Sequence, residues 1–320
     1  MNPIMLMKPY NIDEEHAYRY LEVDGWWADK KLDGFACQAI VDNNNIRIYS
    51  GTGKMKDWTE KLPWIVEELQ TLAMIKVLRN GDILAGELIS GTGNNATNRQ
   101  SISVINGKTE TVLNHQQRYS DIRFIIYDVV NESNYYQSLE KRTSRLEMID
   151  DGKWYSINRK AKTYQEKMDM YKRSKEEGWE GLVLKHKNSP YLLSRDKNKR
   201  NKNYWIKLKY EKTADVIAIG VVEERDVHGN AKGRAGAIIY GAMKDGVIEK
   251  VGKCGGMNDE TKIDLWNKAN DDGMFDEPMV MEIKYQTIGK DAPLHPRFLR
   301  WRTDKLVEDC LLDELQCSNI

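Results

Sequence analysis

Cysteine is scarce: Cys37, Cys254, Cys310 and Cys317 are the only four in 320 residues. They form no C-x-x-C pair and have no paired histidines nearby. This argues against a zinc ribbon or a disulfide framework and fits a reducing compartment. Net charge is absent too, with 49 Lys and Arg against 49 Asp and Glu. A uniformly basic coat is excluded, so a nucleic-acid partner would have to be held by a local patch. No apolar run approaches the roughly 20 residues that span a bilayer. The opening MNPIMLMKPYNIDEEH has no basic segment followed by an apolar stretch, so no secretory signal is expected. Repeats and low-complexity tracts are missing as well. What remains is 40% hydrophobic and 31% charged residues, a globular composition long enough for two domains.

Short β-branched segments recur in the first half. Residues 34–41 (GFACQAIV), 46–49 (IRIY), 82–89 (DILAGELI) and 122–130 (IRFIIYDVV) read as strands bounded by turn residues. Residues 63–76 (PWIVEELQTLAMIK) read as a helix, with Pro63 in its first turn and Ile65, Leu69 and Leu72 on one face. The stretches 136–149 and 164–177 are charged and helix-favouring, and GLVLK (181–185) and YWIKLKY (204–210) are strand-like. This mixture predicts an α+β domain over 1–211. From about residue 213 the pattern becomes strands ADVIAIGVVE, GRAGAIIYG, GVIEKVGK and PMVMEIKYQ, with one helix at 259–270. That pattern fits a small β-barrel over 213–320, an OB-fold being one candidate. LVEDCLLDEL reads as a short closing helix.

Charge is uneven despite the balance. Residues 183–212 hold ten Lys and Arg against Asp196 and Glu211. A solvated loop explains this as readily as a phosphate-contacting surface. Tyr191, Tyr204 and Trp205 are interleaved with the cations, as core residues or as a platform.

Lys31-Leu32-Asp33-Gly34 stands directly before a strand. A lysine amine attacks phosphorus only when deprotonated, so a nucleophilic lysine needs a lowered pKa. Neighbouring cations or a metal supply that shift, and Lys30 is adjacent. Alone, K-x-D-G is short enough to be a turn with a surface lysine. Five further segments follow in order: Glu87 in AGELIS, Tyr127-Asp128 ending FIIYD, EGLVLK from Glu180 to Lys185, Lys207 and Lys209 in WIKLK, and PRFLRWRTDK from Pro296. Lys207 and Lys209 alternate, so they share one face of a strand.

With these six segments the chain resembles the covalent nucleotidyltransferases, specifically ATP-dependent DNA ligases of the small bacteriophage type. KLDG matches the family's motif I, GEL motif III, IIYD motif IIIa, EGLVLK motif IV, WIKLK motif V and PRFLRWRTDK motif VI. The likeness runs from MLMKPY to about Lys305. It implies an adenylation domain followed by an OB-fold domain, with a hinge near Tyr210–Thr213. It also implies an enzyme that seals 5′-phosphate/3′-hydroxyl nicks in duplex DNA through lysyl-AMP and adenylated DNA.

By position, the resemblance makes Lys31 the nucleophile, with Lys207 and Lys209 assisting catalysis. It places Asp29, Lys30, Glu87, Tyr127, Lys185, Arg297, Arg302 and Lys305 with them around ATP. Tyr127 would stack on adenine, and Asp29 stands where the family usually has Glu near the adenine amine. Glu87 and Glu180 become ribose or metal-site carboxylates, the latter for Mg²⁺ or Mn²⁺, as oxygen-seeking cations prefer. Arg297, Arg302 and Lys305 would meet the departing pyrophosphate. The implied partner is nicked double-stranded DNA, and the implied protein is a monomer in the cytoplasm of a bacterium or phage-infected cell.

Two positions depart from the family pattern. Ala36 and Gly51 stand where arginines are common, and Arg47 and Lys54 are the candidate substitutes. The string GTGK lacks the spacing of a phosphate-binding P-loop. ATP is expected over NAD, because only 30 residues precede Lys31 and no zinc-type cysteine set exists. The alternatives are an RNA ligase or capping-type nucleotidyltransferase, which share the lysine chemistry, and a non-catalytic OB-type nucleic-acid-binding protein. The last would lack part of the set Lys31, Glu87, Glu180, Lys207 and Lys209, and this chain has all five.

Overall fold

The computed structural model describes residues 2–51, 54–90, 103–192, 201–286, 288 and 292–317. The chain divides into two compact units, Met1–Lys209 and Tyr210–Ile320. The first unit runs β1 (Pro9–Ile12), α1 (Glu14–Glu22), β2 (Trp26–Lys30), β3 (Phe35–Asp42), β4 (Asn45–Ser50) and α2 (Pro63–Met74). It continues with β5 (Ile83–Ser90), α3 (Thr109–Tyr119), β6 (Ile122–Val130), α4 (Leu139–Thr143) and β7 (Tyr155–Ile157). It ends with α5 (Tyr164–Glu176), β8 (Gly181–His186) and β9 (Asn201–Lys209).

These strands form two sheets, ordered β1-β9-β8-β2 and β4-β3-β5-β6-β7. The larger sheet is mostly antiparallel; its edge strand β4 alternates in burial, while the central strands β3, β5 and β6 are buried almost throughout. Ile46, Ile48 and Leu84 pack with Ile65 and Leu69 of α2 and Val112 of α3. The helices start where local chemistry satisfies their free N–H groups. Asp13 caps α1, Pro63 opens α2, and Thr163 with Glu166 forms a capping box on α5. The charged stretch 136–149 yields less helix than its composition favours: α4 spans five residues, followed by a 3₁₀ turn at Leu146–Met148.

A buried ion pair anchors the larger sheet to the loops beside it. Arg142 Nε and Nη2 donate to the two oxygens of Asp128 at 3.1 and 2.8 Å. Its Nη1 donates to the Gln137 and Ser189 carbonyls at 2.5 and 2.7 Å. The guanidinium also lies 5.6 Å from the Tyr191 ring centroid, and the Tyr191 hydroxyl accepts from Met7 N–H at 3.0 Å. Tyr191 and Trp205 are both buried in the core, which settles their role among the interleaved aromatics.

The second unit comprises β10 (Lys212–Arg225), β11 (Ala231–Lys244), β12 (Val247–Cys254), α6 (Asp259–Lys268), β13 (Met274–Tyr285), β14 (Arg297–Trp301) and α7 (Leu312–Cys317). Its sheet is antiparallel, ordered β12-β11-β10-β13-β14. Val216, Ile238, Tyr240, Met281 and Ile283 form its core. The expected closed barrel is not found: among the described residues the edge strands meet only at a single bridge, Gly255 to Arg297. The closing helix expected in LVEDCLLDEL is a 3₁₀ turn at Val307–Asp309 followed by α7.

Replacing Arg142 by Met would leave the Asp128 carboxylate buried and unpaired. Loss of one partner of a buried pair costs about 3–5 kcal/mol. Chemical denaturation of Arg142→Met should show a loss of that order. A loss below about 1 kcal/mol would mean that water replaces the guanidinium.

Candidate active site

Three adjacent strand ends of the smaller sheet bring the lysine of KLDG together with a carboxylate and a second lysine. Lys30 is opposite Leu182 across β2 and β8, and Gly181 is opposite Lys209 across β8 and β9. Lys31 N–H donates to the Gly181 carbonyl at 3.0 Å, which continues the ladder past the end of β2. Its ammonium meets Glu180 Oε2 at 2.5 Å, and Lys209 Nζ meets Glu180 Oε1 at 2.7 Å. Burial works against the Glu180 carboxylate, but Lys31 and Lys209 more than offset it and hold its pKa below the usual value.

The glycines of the two motifs are required by close approach. A Cβ on Gly34 would lie 2.1 Å from the Leu88 carbonyl oxygen. One on Gly181, at φ +144°, would lie 1.9 Å from that of Leu208. Seating Gly34 against β5 lets its N–H donate to Glu87 Oε1 at 3.0 Å. Burial pushes the Glu87 carboxyl up to about 7, against the pull of Lys31 and the Gly34 N–H.

Lys31 and Glu87 open onto a cavity of about 220 Å³ in the first unit, also lined by Asp29, Tyr127, Lys185 and Lys207. Lys185 and Asp29 form a salt bridge of 2.5 Å with side chains only 3% and 1% exposed. The Lys185 ammonium lies 4.5 Å from the centroids of both Tyr127 and Trp205, a desolvated cation–π arrangement. Asp29 Oδ1 is buried and has no hydrogen-bond partner among the described residues. Nearby, burial lowers the Lys160 pKa, opposed by Asp29 and reinforced by Lys185.

The cavity therefore gathers Asp29, Lys30, Lys31, Glu87, Tyr127, Lys185 and Lys207 from the expected set, with Glu180 paired to Lys31 at its edge and Lys209 paired in turn to Glu180. Lys30 lines it too, but its ammonium sits 4.3 Å from the Trp179 ring centroid, and burial lowers its pKa. The substitutes suggested for the missing arginines are not there. Arg47 pairs with Asp42 at 3.1 Å, and neither Arg47 nor Lys54 lines the cavity. Lys8 and Asn158 do, and both were missed. Lys8 lies in the quoted MLMKPY segment without a motif role, and Asn158 is isolated in sequence.

Arg297, Arg302 and Lys305 belong to the second unit. Arg302 Nη1 donates to both oxygens of Asp215 at 2.8 and 3.0 Å, while Nε and Nη2 bind Asp304. Lys305 lies 3.8 Å from Asp215. In the basic stretch, Arg195, Lys197, Lys199, Arg200 and the Lys202 side chain lie outside the described residues, as do Thr52 and Gly53.

A model of the ATP dependent DNA ligase domain matches residues 4–209. The chain belongs to the ATP-dependent DNA ligase family. Its activity is ATP-dependent DNA ligation. DNA ligase C1 of Mycolicibacterium smegmatis is 22% identical over 329 residues, covering 92% of this chain and 89% of the relative. The solved structure of Pmar-Lig_PreS3 superposes with a TM-score of 0.66 at 19% identity, covering 94% of this chain and 68% of that one. A Lig E DNA ligase, described as binding DNA with a minimal scaffold, gives 0.58 at 18% identity over 94% of this chain and all of its own, 100%. At these identities the two structures bear on the fold alone, a mixed α/β architecture with several antiparallel sheets. Among the described residues no helix is long and apolar enough to cross a membrane.

The raised Glu87 pKa carries a stability consequence. Between its ordinary value near 4.5 and about 7, the folded protein holds a proton that the unfolded chain releases. Stability therefore falls as pH rises through that window. Glu87→Gln removes the titration. Its melting temperature should match the wild type at pH 5 and exceed it at pH 8, by an equivalent on the order of 1–3 kcal/mol. A variant less stable than the wild type at pH 8 would show that the carboxylate stabilises the fold.

Proposed function

We propose that this ligase seals 5′-phosphate/3′-hydroxyl nicks in duplex DNA through an AMP carried on Lys31. The observation that carries the reading is the Lys31 ammonium, paired with Glu180 at 2.5 Å at the edge of a cavity lined by Lys185 and Lys207. The Lys31 nitrogen forms a bond to the α-phosphorus of ATP as the bond to pyrophosphate breaks. AMP then passes to the 5′-phosphate, and the 3′-hydroxyl displaces it. Attack requires the amine form of Lys31, and the contact with Glu180 fixes where its nitrogen sits. Lys207 and Lys209 neutralise charge that develops on the α-phosphate. Asp29 Oδ1 accepts from the adenine amine, and Tyr127 contributes an aromatic wall to the base site.

Glu87 and Glu180 fit a divalent cation. Both are oxygen donors near Lys31, and among the described residues no group of three ligating side chains forms a cage. That suits an ion held by one or two carboxylates and substrate phosphates. When bound, Mg²⁺ or Mn²⁺ supplies positive charge to the phosphates and disfavours the proton on Lys31.

We read the second unit as OB-type, supported by five antiparallel strands with one helix between the third and fourth. Segment 183–212 serves as a DNA-contacting surface, and Tyr210–Thr213 as the hinge. The enzyme acts as a monomer.

Protein incubated with radiolabelled ATP and Mg²⁺ should gain one acid-labile AMP, and Lys31→Ala none. AMP mapped to Lys30 would refute the assignment, a pointed control because burial lowers the Lys30 pKa. Nicked duplexes with DNA or RNA on either side separate the reading from an RNA ligase.

Arg297, Arg302 and Lys305 serve the pyrophosphate, so they are needed only while a triphosphate is present. Lys305→Ala should lose self-adenylation yet still seal a nick that already carries 5′-adenylate. Equal loss in both assays would end the step-specific role. Arg302→Ala should also lower the melting temperature, because it breaks the bidentate contact to Asp215.

A further inference from the structure

The cavity contains a polar side chain that the reaction above leaves unused. Asn158 lines it, and among the described residues the Asn158 carboxamide makes no hydrogen bond. Its backbone, however, is tightly placed. Asn158 N–H donates to the Ile126 carbonyl at 2.8 Å, one residue from Tyr127. Three residues on, Ala161 exchanges backbone hydrogen bonds with Ala28 at 2.8 and 2.9 Å, one residue from Asp29. The segment 158–161 is thus stapled at one end to the strand of the aromatic wall and at the other to the strand of the buried carboxylate. Asp29 contributes to the same cavity a buried acceptor, its Oδ1, that has no hydrogen-bond partner among the described residues. A buried polar atom of that kind is rare and calls for an explanation, whereas the Asn158 carboxamide is half-buried and free to meet a ligand.

One ligand chemistry satisfies both groups. Adenine presents an exocyclic amine that donates, flanked by ring nitrogens that accept; guanine presents an acceptor oxygen in place of the amine. A carboxylate beside the amine position accepts from adenine and repels the guanine oxygen. A carboxamide can also donate to the neighbouring ring nitrogen N1, which is an acceptor in adenine and an N–H donor in guanine.

We propose that Asn158 is a specificity-determining residue that donates to the adenine ring nitrogen N1, next to the amine from which Asp29 accepts. The proposal rests on reading the cavity as the ATP site. It deepens that reading by making base choice a two-residue property, the carboxylate rejecting guanine and the carboxamide selecting the adjacent acceptor.

Label transfer onto the wild type, Asn158→Ala and Asn158→Asp, using ATP, 1-deaza-ATP, 7-deaza-ATP and GTP, tests it. Each deaza analogue replaces one of the two flanking nitrogens by C–H. The wild type should discriminate against 1-deaza-ATP by about tenfold, the worth of one good hydrogen bond, and accept 7-deaza-ATP; the reverse ranking would overturn the proposal. Asn158→Ala should raise the KM for ATP by about the same factor with little change in kcat, and should lose that discrimination. Asn158→Asp, of nearly the same shape, exchanges a donor for an acceptor and should reduce the preference for ATP over GTP by about tenfold or more. It carries the test if the alanine variant does not fold. Wild-type KM and analogue ranking in the folded variants would overturn the proposal and leave the ATP site standing. No label on the wild type from any nucleotide would overturn the site reading and the proposal together.

Discussion

The active site depends on one shared carboxylate. Glu180 accepts the Lys31 ammonium on one oxygen and the Lys209 ammonium on the other. This geometry follows from strand order: β2, β8 and β9 are neighbours, and their ends deliver the three residues side by side. Two glycines make it possible, because Gly34 and Gly181 allow backbones to approach where any Cβ would collide with a carbonyl oxygen. The pairing also sets the resting state. The two cations hold the Glu180 carboxyl below its usual pKa, so the three side chains are fixed relative to one another before substrate arrives.

A second, deeper pair has a different character. Asp29 and Lys185 are almost wholly buried, with the ammonium against Tyr127 and Trp205. Desolvating two charges is expensive, and such pairs seldom add net stability. Here one acceptor oxygen is left without a partner, a feature that stability alone does not explain. The pair makes sense as a rigid, oriented acceptor at the end of a cavity. Glu87 shows the same sacrifice, because burial holds its carboxyl near 7. The site concentrates electrostatic strain that the aliphatic cores of the two sheets tolerate.

Much of this was legible in the chain itself. Strands 34–41, 82–89 and 122–130 alternate or run apolar between turn residues, and the structure has β3, β5 and β6 there. Five of the six motif segments named Lys31, Glu87, Tyr127, Glu180, Lys185 and Lys207, which the first unit brings together, while the sixth, PRFLRWRTDK, lies in the second unit. Strand β2 went unread because WWADK is buried on both faces and carries no alternation. Asn158 was invisible for a related reason: its place depends on its own backbone bond to Ile126 and on those of Ala161 to Ala28, on two different sheets, and no local pattern encodes that. Arg47 illustrates the reverse error. Proximity in sequence to the expected motif suggested a phosphate contact, but β4 carries it to the turn at Asp42. In the second unit the strands were readable while the closed barrel was not found, since closure depends on edge-strand register rather than on the strands' own sequences.

Charge neutrality of the whole chain acquires a meaning from these pairs. Arg302 is held by Asp215 and Asp304, Lys209 and Lys31 by Glu180, and Lys185 by Asp29. The cations assigned to nucleotide chemistry are thus largely matched by acids of their own unit, as the balance of 49 against 49 suggests. A phosphate that binds at such a cation must compete with the carboxylate already paired to it. Exchange has a smaller net electrostatic gain than adding a phosphate to an unpaired cation, because the original pair must be broken. That smaller gain suits a DNA ligase, which has to release a polyanionic product as well as bind a polyanionic substrate.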